Sequence, residues 1–98
     1  MLKRKNAELI TFSGQLHGIG FRRTVFGLAE DYPELRGYVK NIPNNAVELL
    51  LIGATNEIEM LLDDIINHER LKYYIKSVEH SRIITVENYD KFSIKIGE

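Results

Sequence analysis

The chain has 98 residues, 44% apolar and 28% charged, which is the composition of one small globular domain rather than of a disordered segment. Thirteen Lys and Arg against fourteen Asp and Glu leave a net charge of −1, without the basic surplus of a general nucleic-acid binder. With no cysteine, disulfides, thiolate metal sites and cysteine nucleophiles are excluded.

Residues 1–6 read as a flexible lead-in with Lys3, Arg4 and Lys5 solvated, and residues 7–98 as a single domain. The basic start leads into no apolar stretch of the secretory kind, and no run approaches the roughly 18 apolar residues that span a bilayer. A cytoplasmic protein with no membrane partner is expected. Ala7–Ser13 is rich in strand formers, with Ile10 and Phe12 on one face. From about Phe21 to Tyr32, Val25, Leu28, Ala29 and Tyr32 recur at helical spacing, and Pro33 is expected to end that helix. Leu35–Ile42 reads as a second strand. Pro43-Asn44-Asn45 reads as a hairpin turn, since asparagine tolerates positive φ. Val47–Ile52 is apolar on both faces, as a central strand is, and Gly53 closes it. Asn56 followed by Glu59 suggests a capping box ahead of the stripe Ile58, Leu61, Leu62, Ile65 and Ile66. Glu57, Glu59, Asp63 and Asp64 fall on the solvated side of that helix. Tyr73–Val86 reads as one strand or two short ones, with Tyr73 and Tyr74 in strand packing. Phe92, Ile94 and Ile96 then alternate with Lys91, Ser93 and Lys95 as a half-buried terminal strand.

This order, β-α-β-β-α-β with room for an extra strand before the last, predicts an α+β fold. Burial is simplest in a ferredoxin-like α/β sandwich, an antiparallel four- to five-stranded sheet with two helices on one face. Such a fold hosts many unrelated functions.

Between the first strand and the first helix lies Gly14-Gln15-Leu16-His17-Gly18-Ile19-Gly20-Phe21-Arg22. Closely spaced glycines permit backbone dihedrals that other residues avoid, and such a turn opening onto a helix start can gather N–H groups around an anion. Arg22, just inside the helix, adds a planar cationic fork suited to phosphate or carboxylate oxygens. The same glycines would also serve a plain turn, so the loop alone leaves both readings open. A second segment, Gly37-Tyr38-Val39-Lys40-Asn41, lies late on the second strand. In this topology the first two strands run parallel on either side of the third, so the loop and Asn41 can meet at one sheet edge. A carboxamide donates and accepts at once, which suits a water molecule.

On these two segments the chain resembles the acylphosphatases. Gln15 to Arg22 is similar to that family's first signature, a glycine-containing loop ending in Phe-Arg. Gly37 to Asn41, with Val47 and Gly53 at later spacings, is similar to the second. The resemblance covers nearly the whole chain. It implies a five-stranded ferredoxin-like sheet and an enzyme, a hydrolase that cleaves the carboxyl–phosphate bond of small acyl phosphates without metal or other cofactor. It implies that Arg22 binds substrate and Asn41 orients the attacking water, as the two catalytic residues. Leu16, His17, Gly18, Ile19, Gly20 and Phe21 would form the phosphate-binding loop through their backbone amides. The chain departs from the family pattern in three places: His17 replaces a usual glutamine, Asn45 a hairpin glycine, and Tyr32-Pro33-Glu34 a Gly-Leu helix exit. The last is expected to shift the start of the second strand slightly.

Three other features read as structural: His17, His68 and His80 as surface histidines without metal-ligand spacing, Arg23 as solvated about 100° around the helix from Arg22, and Phe21 as a core anchor. A monomer acting on a small-molecule acyl phosphate is expected. One rival is a non-catalytic phosphate- or carbamoyl-phosphate-binding module, like the domain at the front of hydrogenase-maturation carbamoyltransferases. In those the chain runs on into zinc-finger and catalytic regions, so ending at Glu98 favours a freestanding enzyme. The other rival, a ferredoxin-like nucleic-acid binder, is disfavoured by net charge and by the lack of aromatic signatures on the first and third strands.

Overall fold

Strand-forming residues with Ile10 and Phe12 fully buried on one side set β1 (Lys5–Gly14), the strand from which the sheet is built. The computed structural model describes residues 5–83 and 88–96. After β1 come α1 (Phe21–Ala29), β2 (Arg36–Ile42), β3 (Ala46–Ala54), α2 (Thr55–Ile66), a 3₁₀ turn (Leu71–Tyr73), β4 (Ile75–Ile83) and β5 (Phe92–Lys95). The strand order is β4-β1-β3-β2-β5. Every pairing is antiparallel except β2–β5, which is parallel. The expected fifth strand is β4, the partner of β1, and the architecture is the ferredoxin-like α+β sandwich.

One core joins the helices to one sheet face. Ile10 and Phe12 of β1, Val39 of β2 and Val47, Leu49 and Leu51 of β3 pack with Phe21 and Val25 of α1 and Ile58, Leu61 and Ile65 of α2. Gly37 makes the second strand possible where it passes β3, because a Cβ there would lie 1.9 Å from the Leu50 carbonyl oxygen. The helices are also tied by Tyr32, whose hydroxyl donates to Asp64 Oδ2 at 2.6 Å. That hydrogen bond to a carboxylate, with some burial and the nearby acidic charge, pushes the Tyr32 phenol up to about 12.

Several expectations need correction. Lys5 and Asn6 already pair with Ala54 and Gly53 as part of β1, while residues 1–4 of the expected lead-in lie outside the described residues. α1 stops at Ala29, short of Pro33; Glu30, Asp31 and Tyr32 each donate to a carbonyl three residues back, which tightens the last turn. β2 begins at Arg36, one residue later than Leu35. There is no capping box: α2 follows β3 directly, with Ala54 as its cap, so Asn56 is already helical and cannot fill that place. Ile66 leaves the buried stripe and is 39% exposed. Tyr73 and Tyr74 precede β4 and are both exposed, and the expected strand residues 84–86 lie outside the described residues. Of the three alternating apolar residues only Phe92 is half-buried, stacked on Phe26; Ile94 and, just past β5, Ile96 are exposed.

Candidate active site

The loop after β1 is held at its root by two backbone bonds. The Gln15 N–H donates to the Tyr74 carbonyl at 3.2 Å, and the Leu16 N–H donates to the Asn45 carbonyl at 3.1 Å. Asn45 can present that carbonyl because the hairpin places Asn44 and Asn45 at φ 72° and 61°, the left-handed region that asparagine accepts. Gly18 and Gly20 sit at φ 80° and 77°. Two left-handed residues so close curl the chain, and Gly20 becomes the N-cap of α1, its carbonyl accepting the Thr24 N–H at 2.9 Å. Phe21 then plugs into the core, 5.4 Å from the Phe12 ring, which fixes where the helix starts.

This geometry leaves donors free. Among the described residues, the amides of His17, Gly18, Ile19 and Gly20 make no backbone hydrogen bond of ordinary geometry. The amides of Phe21, Arg22 and Arg23 precede the first intrahelical bond, so they have no partner within the helix either. A run of unpaired N–H groups at the positive end of a helix dipole attracts an anion.

Two side chains that the sequence reading set aside, or never singled out, brace the loop. His17 is half-buried, not a free surface residue, and its Nε2–H donates to the Ala46 carbonyl at 2.8 Å. Arg70, in the connection between α2 and β4, donates from Nη1 to the Ile19 carbonyl at 2.7 Å and from Nη2 to Thr24 Oγ1. One guanidinium thus joins the loop to the first turn of α1. His68 Nδ1 in turn accepts the Arg70 and Leu71 N–H groups at 3.1 and 3.3 Å, and His80 Nδ1 lies 3.2 Å from the buried Glu8. All three histidines are engaged structurally. No spacing in the sequence signals Arg70; only the crossover of the second β-α-β unit carries it to the loop.

A cavity of about 320 Å³ opens beside these amides, at the end of the sheet where β1 and β2 finish. Leu16, Gly18, Gly20 and Phe21 of the loop line it, together with Arg22, Arg23 and Asn41. His17 and Ile19 of the expected binding loop do not line it. Arg22 and Asn41 are half-buried there, and Asn41 stands opposite Val47 in the β2–β3 register, on the helix-covered face. Arg23 is exposed as expected, yet it also lines the cavity. The remaining lining comes from Ile94 and Ile96. Among the described residues, two guanidiniums and no carboxylate line this space, so its field favours an anion. Among the described residues no cluster of three or more His, Asp or Glu is arranged to hold a metal ion.

The acylphosphatase family model matches residues 9–94. The chain is similar to the acylphosphatase of Methanospirillum hungatei, 34% identical over 83 residues that cover 85% of this chain and 89% of that protein. It is also similar to the probable carbamoyltransferase HypF of Methanocaldococcus jannaschii, 33% identical over 85 residues, which cover 87% of this chain but 11% of that one. Among solved structures, the crystal structure of acylphosphatase from Bacillus subtilis matches with a TM-score of 0.80 at 25% identity, covering 94% of this chain and 99% of that chain.

Proposed function

This chain belongs to the acylphosphatase family, and from that premise we propose that it hydrolyses small acyl phosphates: R–CO–OPO₃²⁻ + H₂O → R–COO⁻ + H₂PO₄⁻. The observation that carries this reading is the single cavity into which the glycine loop, Arg22 and Asn41 all open.

The phosphoryl oxygens sit against the loop and first-turn amides, with the Arg22 guanidinium across from them. These donors neutralise charge and cost no reorganisation at the moment of reaction. The Asn41 carbonyl oxygen accepts a hydrogen bond from the attacking water, and so aims the water at phosphorus rather than acting as a base. Water oxygen bonds to phosphorus as the bond from phosphorus to the acyl oxygen breaks. The departing carboxylate has a conjugate acid with a pKa of about 4, so it leaves without a general acid. The water's protons finish on the phosphate. Positioning and charge neutralisation are what phosphoryl transfer mainly asks of a protein. A rate flat in pH through neutrality is expected, and a steep limb belonging to a protein base would contradict this mechanism.

Benzoyl phosphate hydrolysis by the wild type, Arg22→Ala and Asn41→Ala tests the reading. Each substitution should lower kcat/KM by about 10²–10³, the scale of loss for one preorganised polar group in such a site. Wild-type rates that either variant retains would overturn the assigned roles. The match to a small part of a carbamoyltransferase favours a second reading, a module that binds phosphate or carbamoyl phosphate without turnover. Phosphate binding in a wild type that hydrolyses nothing would establish that one instead. The protein is further proposed to be a cytoplasmic monomer, with an elution volume on gel filtration that matches 11.3 kDa.

A further inference from the structure

Neither the Ile94 nor the Ile96 side chain belongs to the core cluster. Ile94 pairs with Val39 in the parallel β2–β5 ladder, so it shares the face that carries Val39 and Asn41. Phe92, two residues earlier on β5, packs under α1 against Phe26. Ile94 and Ile96 are 36% and 87% exposed, and both line the cavity that holds Arg22 and Asn41. A β-branched apolar side chain left in water at the wall of a charged cavity is an unfavourable arrangement until something apolar covers it.

We propose that Ile94 and Ile96 are the acyl-side wall of this site and select acyl phosphates whose R group is apolar, an alkyl chain or an aryl ring. The inference rests on the hydrolytic reading above and adds the substrate class to it. The cavity divides by chemistry. The loop and the first turn of α1 bring the amides of Gly18, Gly20 and Phe21 and the two arginines, which are donors, while the end of the chain from β5 brings the two isoleucine side chains, which are not. A phosphoryl head placed on the donors leaves the acyl end of the same molecule facing the apolar wall. Covering the wall removes apolar surface of both partners from water, so the gain grows with the size of R.

The experiment compares kcat/KM for benzoyl phosphate and acetyl phosphate in the wild type, Ile96→Ser, the double variant Ile94→Ser/Ile96→Ser, and the apolar replacement Ile94→Leu/Ile96→Leu. Inhibition by inorganic phosphate is measured alongside as a report on the donor side alone. In the double serine variant the benzoyl-to-acetyl ratio should fall about tenfold, with a smaller fall in Ile96→Ser, while the leucine variant keeps the ratio. Phosphate inhibition should persist throughout. A ratio unchanged in the serine variants, or both substrates falling together, overturns the inference. Ile96 is exposed enough for its single substitution to be read even if the double variant folds poorly. A wild type that turns over neither substrate defeats the hydrolytic reading instead, and phosphate binding in that case separates the two failures.

Discussion

α1 and α2 both begin at the end of a strand, at opposite ends of the sheet. α1 follows β1 through the loop Gln15–Gly20, whereas α2 follows β3 with no residue between them. Each helix start borders a cavity, about 320 Å³ at α1 and about 260 Å³ at α2. Around the first stand Arg22, Arg23 and Asn41; around the second stand Glu34, Glu57, Asp90 and Arg36. The caps differ as well: Gly20 is left-handed at φ 77°, while Ala54 is extended at φ −70° and ψ 137°. Both helices carry the same kind of dipole, so the dipole does not separate the two ends. What separates them is the spare chain that curls into a row of free amides at one end, and the sign of the side chains that line each space. At the α2 end three carboxylates meet a phosphate with repulsion, and there is no loop to supply donors.

Substitutions at both ends would break or sharpen that contrast, beginning with the largest effect. Gly20→Ala puts a Cβ on a left-handed residue at a penalty of about 1–2 kcal/mol and shifts the amides, so kcat/KM for benzoyl phosphate should fall about a hundredfold. Ala54→Gly at the other cap should leave the rate alone. Wild-type kinetics in Gly20→Ala would show that the curl is dispensable. Next, Arg23→Glu brings a carboxylate to the α1 end and should weaken inhibition by phosphate about tenfold, more so at low salt; Glu57→Lys should create no phosphate site at the α2 end. Detectable phosphate binding in Glu57→Lys that depends on the new charge would erase the distinction. Arg70→Ala removes the brace on the Ile19 carbonyl and should raise KM about fivefold, with partial recovery in Arg70→Lys, which keeps one donor. A change in kcat alone, with no recovery by lysine, would argue against a positioning role.

The smallest effect lies away from both cavities. The folded chain holds the Tyr32 proton more tightly than an unfolded chain does at its ordinary 10.0, since the pKa is pushed up to about 12. That contribution to stability is complete below about pH 10 and is lost as pH rises through about 12. Urea denaturation across this window should therefore fall off less steeply in Tyr32→Phe than in the wild type. Parallel curves would mean that the bond to Asp64 contributes nothing.

The amino-acid sequence by itself determined the element order, the ferredoxin-like sandwich and the family, because periodicity, turn residues and the two glycine-bearing signatures are local properties of the chain. It marked Arg22 and Asn41 by residue type and position. It misplaced what depends on neighbours far along the chain. Pro33 marked a helix end that i→i+3 bonds had already made at Ala29, and Asn56 looked like a cap until β3 ran straight into α2. Ile94 and Ile96 alternated like core residues, yet nothing in a strand's period says where the helix above it begins. Arg70, fifty-one positions from Ile19, met the loop only through the crossover of the fold. Hydrophobic period and backbone sterics act within a few residues and can be read in order. Cavities, braces and exposed walls arise where distant segments converge, so only the tertiary structure decides them.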